Sequence, residues 1–444
     1  MMRIPPAVRW LEIIPRLQLL LALGFVLAVL ALAYLPGQSD FGLIAALYTP
    51  AFLLYLLIWR LVEGRRALFF FLVLAALLRL LLVPAFPLLS DDVYRFIWDG
   101  RLILQGINPF SYPPVYYQEA GRAVPGLDAA LFAQLNSPAY FTIYPPLAQA
   151  TFAAACWLFP HSIAGAALAM KLPLLACEWG SLWLLPRLLL RLGLPEKNAL
   201  LYALNPLILL EIMGNLHFEG AMIFFFLAGY WLLLRGRWAL SAGAMAFSVA
   251  AKLLPLLFFP FWLRRLGWRR SLSYFALLGL GLLALFAPLL SEAFFVGFGN
   301  SLELYFRKFE FNGSIYYLLR WVGLQWKGFN AIAYIGPLLA VLVFCGVLLA
   351  ALLDKRRDWE SLPPRLLLAI CLYLAFSPTV HPWYASLPIV LAALSRFRFP
   401  ILWSGLIWLT YINYSYPVYR ENLWVVGIEY LAVYAFAAWE LLRR

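Results

Sequence analysis

Charge is scarce in this chain. Asp, Glu, Lys and Arg make up 12% of its 444 residues, with 21 acidic against 34 basic. A soluble domain carries about a quarter charged residues, so a water-soluble globular fold is excluded. Histidine is rarer still, at three, and the four cysteines stand alone. Cys156, Cys177, Cys345 and Cys371 lie in apolar surroundings without metal-ligand spacing. That excludes a zinc site or a disulfide framework and leaves small buried hydrophobes. The first apolar run lacks a small-residue cleavage site and reads as a retained helix rather than a signal peptide. No internal repeat, low-complexity tract or terminal soluble domain is legible.

What the chain has is apolar length: 65% of it is hydrophobic, with a mean hydropathy of +0.84. Runs near the ~20 residues needed to cross a bilayer recur from Leu17 onward. Candidate spans cover 17–35, 42–60, 66–86, 171–190, 197–213, 219–234, 238–251, 253–263, 272–290, 329–353, 364–378, 384–395, 399–416 and 424–441. The expected fold is an all-α polytopic membrane protein of about 12–14 transmembrane helices, forming one integral domain over residues 1–444. Spans 253–263 and 384–395 are too short to cross alone and are expected to be broken or tilted.

The net charge of +13 would suggest nucleic acid in a soluble protein, but here its distribution sets topology. With the amino terminus inside, 23 of the 34 basic residues fall on inner segments and ten on outer ones, with Arg79 inside a span. This is the bias that cytoplasmic loops carry. It requires residues 142–160 to lie along the interface, not to cross. Residues 87–170 then become one long outer segment, and 291–330 a second. Unstructured lengths of that order are usually functional.

The outer side collects the ionisable side chains. Asp91 and Asp92 open a short helix after Pro84 and Pro87, with Arg95, Asp99 and Arg101 close behind. Helix capping accounts for one acid at such a start, and the dipole favours it. Two acids among arginines fit a carboxylate general base kept ionised by cations. Tyr94, Phe96 and Trp98 read either as interfacial aromatics or as part of the site; Gly100, Gly106 and Pro109 read as turn residues. Lys252, between apolar runs and before Pro255, is either a snorkelling lysine or a cation for a lipid phosphate. His381, in Pro378–Tyr384, divides between a structural role and a phosphate or sugar contact. His217 and Glu219 pose the same choice, and Lys171 is read as loosely paired with Glu178. Asn312-Gly313-Ser314 is a glycosylation triplet or a turn. No acid–histidine pair has metal-ligand spacing, so neither cofactor nor metal is expected; a divalent ion among Asp91, Asp92 and Glu219 is possible in principle but unsupported.

Ser90-Asp91-Asp92-Val93-Tyr94-Arg95-Phe96, Trp98-Asp99-Gly100-Arg101 and Gly106-Ile107-Asn108-Pro109-Phe110 together resemble the first outer loop of GT-C-fold glycosyltransferases. The likeness is greatest to bacterial mannosyltransferases that use polyprenyl-phosphate mannose. Tyr144-Pro145-Pro146-Leu147 resembles the interface helix that follows, Lys171-Leu172-Pro173 the next crossing, and Glu219 and Ala251-Lys252 later acidic and basic positions. In most relatives the acidic loop follows the first span; here spans 17–35 and 42–60 also precede it.

The resemblance implies a hexosyltransferase, with mannose favoured, that moves sugar from a polyprenyl monophosphate donor to a hydroxyl of a lipid or glycan acceptor. Inversion would rest on an Asp base, Asp92 ahead of Asp91. Lys252, Arg95, Arg101, Lys171, His381 and Tyr384 would face the donor phosphate, and Asp99, Asn108, His217 and Glu219 the sugar or acceptor. Membrane lipids are expected partners and nucleic acid is not. The expected location is a bacterial inner membrane, with the site on its periplasmic side. The competing class is a lipid or small-molecule transporter or flippase. Transporters bind at mid-bilayer between repeated broken helices; here the polar groups gather at one rim and no repeat is visible.

Overall fold

The computed structural model describes residues 15–443. Arg3, Arg9 and Arg444, counted above among the inner basic residues, lie outside the described residues. Among the described residues the regular structure is all helical, without a strand; Phe311 and Thr379 form an isolated bridge. The protein is a polytopic all-α membrane protein.

The longer helices are α1 (Arg16–Tyr34), α2 (Phe41–Leu61), α3 (Gly64–Leu81), α4 (Asp92–Leu104), α5 (Pro146–Leu158), α6 (Ile163–Arg191) and α7 (Glu219–Leu234). They continue with α8 (Trp238–Ala251), α9 (Trp268–Phe286), α10 (Glu292–Arg307), α11 (Ile315–Lys327), α12 (Ile332–Leu353), α13 (Leu362–Phe376) and α14 (Leu423–Leu442). By length and composition six of them can cross a membrane: α1, α2, α6, α9, α12 and α14. Pro206–Gly214 and α7 make a seventh only as a broken span, bent by 112°. The number falls short of the expected 12–14 where prolines and charges interrupt apolar sequence. Pro255 and Pro260 turn span 253–263 into a 3-10 helix, Leu254–Phe261. Span 384–395 divides into Pro382–Ala385 and Ser386–Ala393. Arg65, Arg66 and Arg79 lie within α3.

Elsewhere the helices outrun expectation. α6 begins at Ile163 instead of 171, because the Ser162 side chain caps it, accepting the Gly165 N–H at 3.0 Å. Pro173 is absorbed inside it. The 142–160 region gives α5, 13 residues long. At 1.5 Å per residue that is ~20 Å, short of a ~30 Å hydrocarbon core, and α5 packs instead along α4 and α6.

The α4–α5 contact explains Gly100. It sits within α4, not in a turn, and a Cβ there would come within 2.6 Å of the Phe152 carbonyl oxygen. Gly106 is the turn residue, at φ 71°. Trp98 and Phe96 are buried in the core instead of lying at an interface, and Phe96 stacks on Phe152 at 4.5 Å.

One buried ion pair ties the middle of the molecule together. Arg79 Nε meets Glu178 Oε2 at 2.7 Å, both fully buried, and Glu178 also accepts from Tyr202 OH at 2.6 Å. Glu178 therefore pairs with Arg79 and not with Lys171. Nor is Asn312 an accessible glycosylation acceptor: it is buried at φ 50° and donates to Glu429 at 3.2 Å.

Candidate active site

Asp91 occupies the N-cap position of α4 and Asp92 the first helical position, yet the Asp91 side chain makes no capping hydrogen bond. Capping thus does not explain the pair. Asp91 is exposed, while Asp92 is partly buried and accepts from Asn136 Nδ2 at 3.0 Å. Burial alone would raise the Asp92 pKa, but His217, Asn136 and His381 hold it down at about 2. Asp91 moves the other way, raised by burial and by the neighbouring Asp92 charge.

His217 lies in the break between the two halves of the bent span. A π-helical turn, Leu209–Gly214, precedes it, and Leu216 adopts φ 65°. Such turns are rare, and a non-glycine residue in the left-handed region is uncommon; both occur disproportionately at functional sites. The break puts His217 Nε2 3.7 Å from Asp92 Oδ2 and Nδ1 3.2 Å from Glu211 Oε2. Burial would lower the His217 pKa, but its contacts with Asp92 and Glu211 lift it to about 9. The ring stacks on Trp383 at 3.8 Å.

Lys252 ends α8, where the chain leaves the helix, and its Nζ lies 2.9 Å from Glu219 Oε1 at the start of α7. The Tyr384 ring centroid is 5.9 Å from the same nitrogen. His381 stacks on Trp383 at 4.4 Å and on Phe311 at 4.6 Å. Burial pushes its pKa down to about 3, against the pull of Asp92, so at neutral pH it offers hydrogen bonds and not charge.

Asp91, Asp92, Arg95, Lys252, His381 and Tyr384 line one cavity of about 310 Å³. His217 and Glu219 adjoin it through Asp92 and Lys252. Four other residues singled out by sequence are elsewhere. Asp99 is fully buried, bound by Arg95 Nε at 2.9 Å, Gln149 Nε2 at 3.0 Å and the Thr142 hydroxyl. It fixes the guanidinium of Arg95, which also donates to the Tyr140 carbonyl at 2.9 Å. Arg101 donates to the Gly126 carbonyl at 2.7 Å, and Asn108 to that of Leu289 at 2.7 Å. Lys171 is buried and donates to the carbonyls of Leu82 at 3.2 Å, Gly214 at 2.9 Å and Ala85. Those contacts join the chain leading to Asp91 with the break leading to His217.

Sequence reasoning missed Glu211, Asn136 and Trp383. Glu211 carried a usable signal, an acid inside Leu-Leu-Glu-Ile-Met, where an ionisable group is costly and so marks a site. Asn136 and Trp383 carried none.

A profile of the family described as alpha-(1->6)-mannopyranosyltransferase, N-terminal domain, matches residues 26–266, just over half of the chain. The chain belongs to this family. Among curated relatives, it is 25% identical over 342 residues to alpha-(1->6)-mannopyranosyltransferase A of Mycobacterium tuberculosis, covering 70% of this chain and 62% of that protein. It is 29% identical over 154 residues to alpha-(1->6)-mannopyranosyltransferase B of Corynebacterium glutamicum, covering 34% of this chain and 24% of that protein. The match thus spans less than two thirds of either relative's length. Asp91, Asp92, Arg95, His217, Glu219 and Lys252 all fall inside the region that matches the alpha-(1->6)-mannopyranosyltransferase profile, whereas His381 and Tyr384 lie beyond it.

Proposed function

We propose that this chain is a mannosyltransferase that moves mannose from a polyprenyl monophosphate to a hydroxyl of a lipid or glycan acceptor, with inversion. The observation that carries this reading is the shared cavity: a base candidate, Asp92, and a cation, Lys252, line the same space. Family membership and the printed names of the relatives favour mannose.

In the proposed reaction the acceptor oxygen attacks the anomeric carbon while the bond from that carbon to the phosphate oxygen breaks. The hydroxyl proton passes to Asp92. Negative charge grows on the departing polyprenyl phosphate, and Lys252, with Arg95 elsewhere on the wall of the same cavity, opposes that charge. A carboxylate held as acidic as Asp92 is a weak base, which suits a proton lost late, once the new bond is forming. If the product is an α-mannoside, inversion requires a β-linked donor.

The proposed location is the outer face of a bacterial inner membrane. α7 and α8 each have one end at the cavity, at Glu219 and Lys252, and the other near Arg235 and Arg237. The 16 residues of α7 separate these ends by ~24 Å, and basic loops favour the cytoplasm. That arrangement supports an extracytoplasmic cavity.

The test supplies purified protein with labelled β-linked polyprenyl-phosphate mannose and an oligomannoside. Label in the oligomannoside, α-linked by NMR and lost in an Asp91→Asn, Asp92→Asn double variant, supports the reading. Absence of transfer by the wild type, or turnover retained by the double variant, removes it.

A further inference from the structure

His217 is buried with a carboxylate toward each of its two ring nitrogens. Nδ1 lies 3.2 Å from Glu211 Oε2 and 3.0 Å from the Glu211 carbonyl oxygen, while Nε2 points at Asp92, 3.7 Å away. Among the described residues Nε2 has no hydrogen-bond partner, Asp92 being its nearest charge. Glu211 is fully buried and is itself held by Tyr411 OH at 2.8 Å and Asn215 Nδ2 at 3.1 Å. Trp383 closes the remaining ring face. The π-helical turn and the left-handed Leu216 are the backbone devices that bring Glu211 and His217 into this register. A neutral imidazole carries an N–H on only one of these nitrogens, whereas an imidazolium presents one toward each carboxylate.

We infer that His217, braced by Glu211, is a positioning residue that keeps the Asp92 carboxylate ionised and aimed into the cavity. The inference deepens the proposed function and rests on it, because Asp92 matters as a base only if sugar transfer is the reaction. Other charges around Asp92 do not replace the imidazolium. Asp91 is of like charge, His381 is neutral at working pH, and Lys252 is engaged by Glu219. Arg95 is tied to Asp99, and Tyr144, Tyr305 and Tyr414 are phenols whose burial keeps them protonated. Without His217, burial would push the Asp92 carboxyl toward its protonated form, opposed chiefly by the Asn136 hydrogen bond.

The experiment compares wild type, His217→Gln and Glu211→Gln as purified full-length chains across about pH 5 to 8, reading mannose transfer from polyprenyl-phosphate mannose. Wild type should vary less than about twofold from this ionisation, whereas His217→Gln should lose a further ~tenfold or more between pH 8 and pH 5. Glu211→Gln, which keeps the imidazole and its bond to the residue-211 carbonyl but removes the carboxylate charge, should shift in the same direction by less. A uniform loss at every pH, with the profile unmoved in both variants, overturns the inference and makes His217 a packing residue.

A second readout needs no turnover. Difference infrared spectroscopy follows the Asp92 carboxylate band, assigned by its disappearance in Asp92→Asn. That band should persist at about pH 5 in wild type and give way to the protonated form in His217→Gln. Persistence in His217→Gln overturns the inference. A wild type with this infrared behaviour but no sugar transfer would leave the His217–Asp92 linkage standing and remove the proposed function instead.

Discussion

Lys252 Nζ stands 2.9 Å from Glu219 Oε1, with Glu219 buried and Lys252 partly open to the cavity that Asp92 lines. The pair joins the start of α7 to the end of α8, so one contact serves both packing and the proposed donor site.

The two roles separate by mutation. Lys252→Met leaves Glu219 buried without a counter-charge, which costs about 3–5 kcal/mol when one partner of a buried pair is removed. Adding Glu219→Gln should recover most of that stability in thermal unfolding. It should not recover transfer, because the leaving phosphate still lacks its cation and the rate stays down by ~10²-fold or more.

The two adjacent acids should behave differently. Asp92 is bound by Asn136 and faces His217, while Asp91 is exposed and makes no capping bond. Asp92→Asn should lower kcat by ~10²–10⁴-fold, the range for a general base, and Asp91→Asn by less than about tenfold. Steady-state kinetics of the two single variants checks the assignment.

The His217 and Asp92 ionisations also set a pH window for stability. The folded His217 pKa is raised to about 9, above an unfolded ~6.5, so its contribution is complete below ~6.5 and is lost as pH rises through 9. The folded Asp92 pKa is lowered to about 2, below an unfolded ~3.9, so its contribution is present above ~3.9 and is lost as pH falls through 2. Both are complete only between about pH 4 and 6.5. Thermal melts in detergent should therefore show an alkaline decline of at most roughly 3 kcal/mol from His217, a slope that His217→Gln flattens.

Gly100 tests the helix contact under the site. Gly100→Ala places a methyl group 2.6 Å from the Phe152 carbonyl oxygen and should cost about 1–3 kcal/mol through overpacking. Gly106→Ala meets no neighbouring atom and suffers only from its φ of 71°. Both variants are read by the loss of melting temperature.

Much of this was legible in the sequence because membrane proteins write their constraints in one dimension. Leucine-rich runs marked α1, α2 and α12, and the acids beside Arg95 marked the cavity. Broken helices were harder to read. Nothing in Pro206–Glu219 announces a π-helical turn, since a π-turn comes from tertiary demand on the backbone, and Glu211 was lost inside an apolar run. Lys171 and Asp99 looked like site residues because sequence reports charge but not direction; one points at three carbonyls, the other at Arg95, Thr142 and Gln149. His381 and Trp383 reach the cavity from far along the chain, a convergence that only the fold creates.

The most direct measurement is a cryo-EM map of the wild type bound to a polyprenyl phosphate bearing a non-transferable mannose analogue. The account predicts phosphate density within ion-pair distance, about 4 Å, of Lys252 Nζ, and an anomeric carbon facing Asp92 across the cavity. Phosphate held at the opposite rim near Arg235 and Arg237, or a sugar with no approach to Asp92, would contradict it.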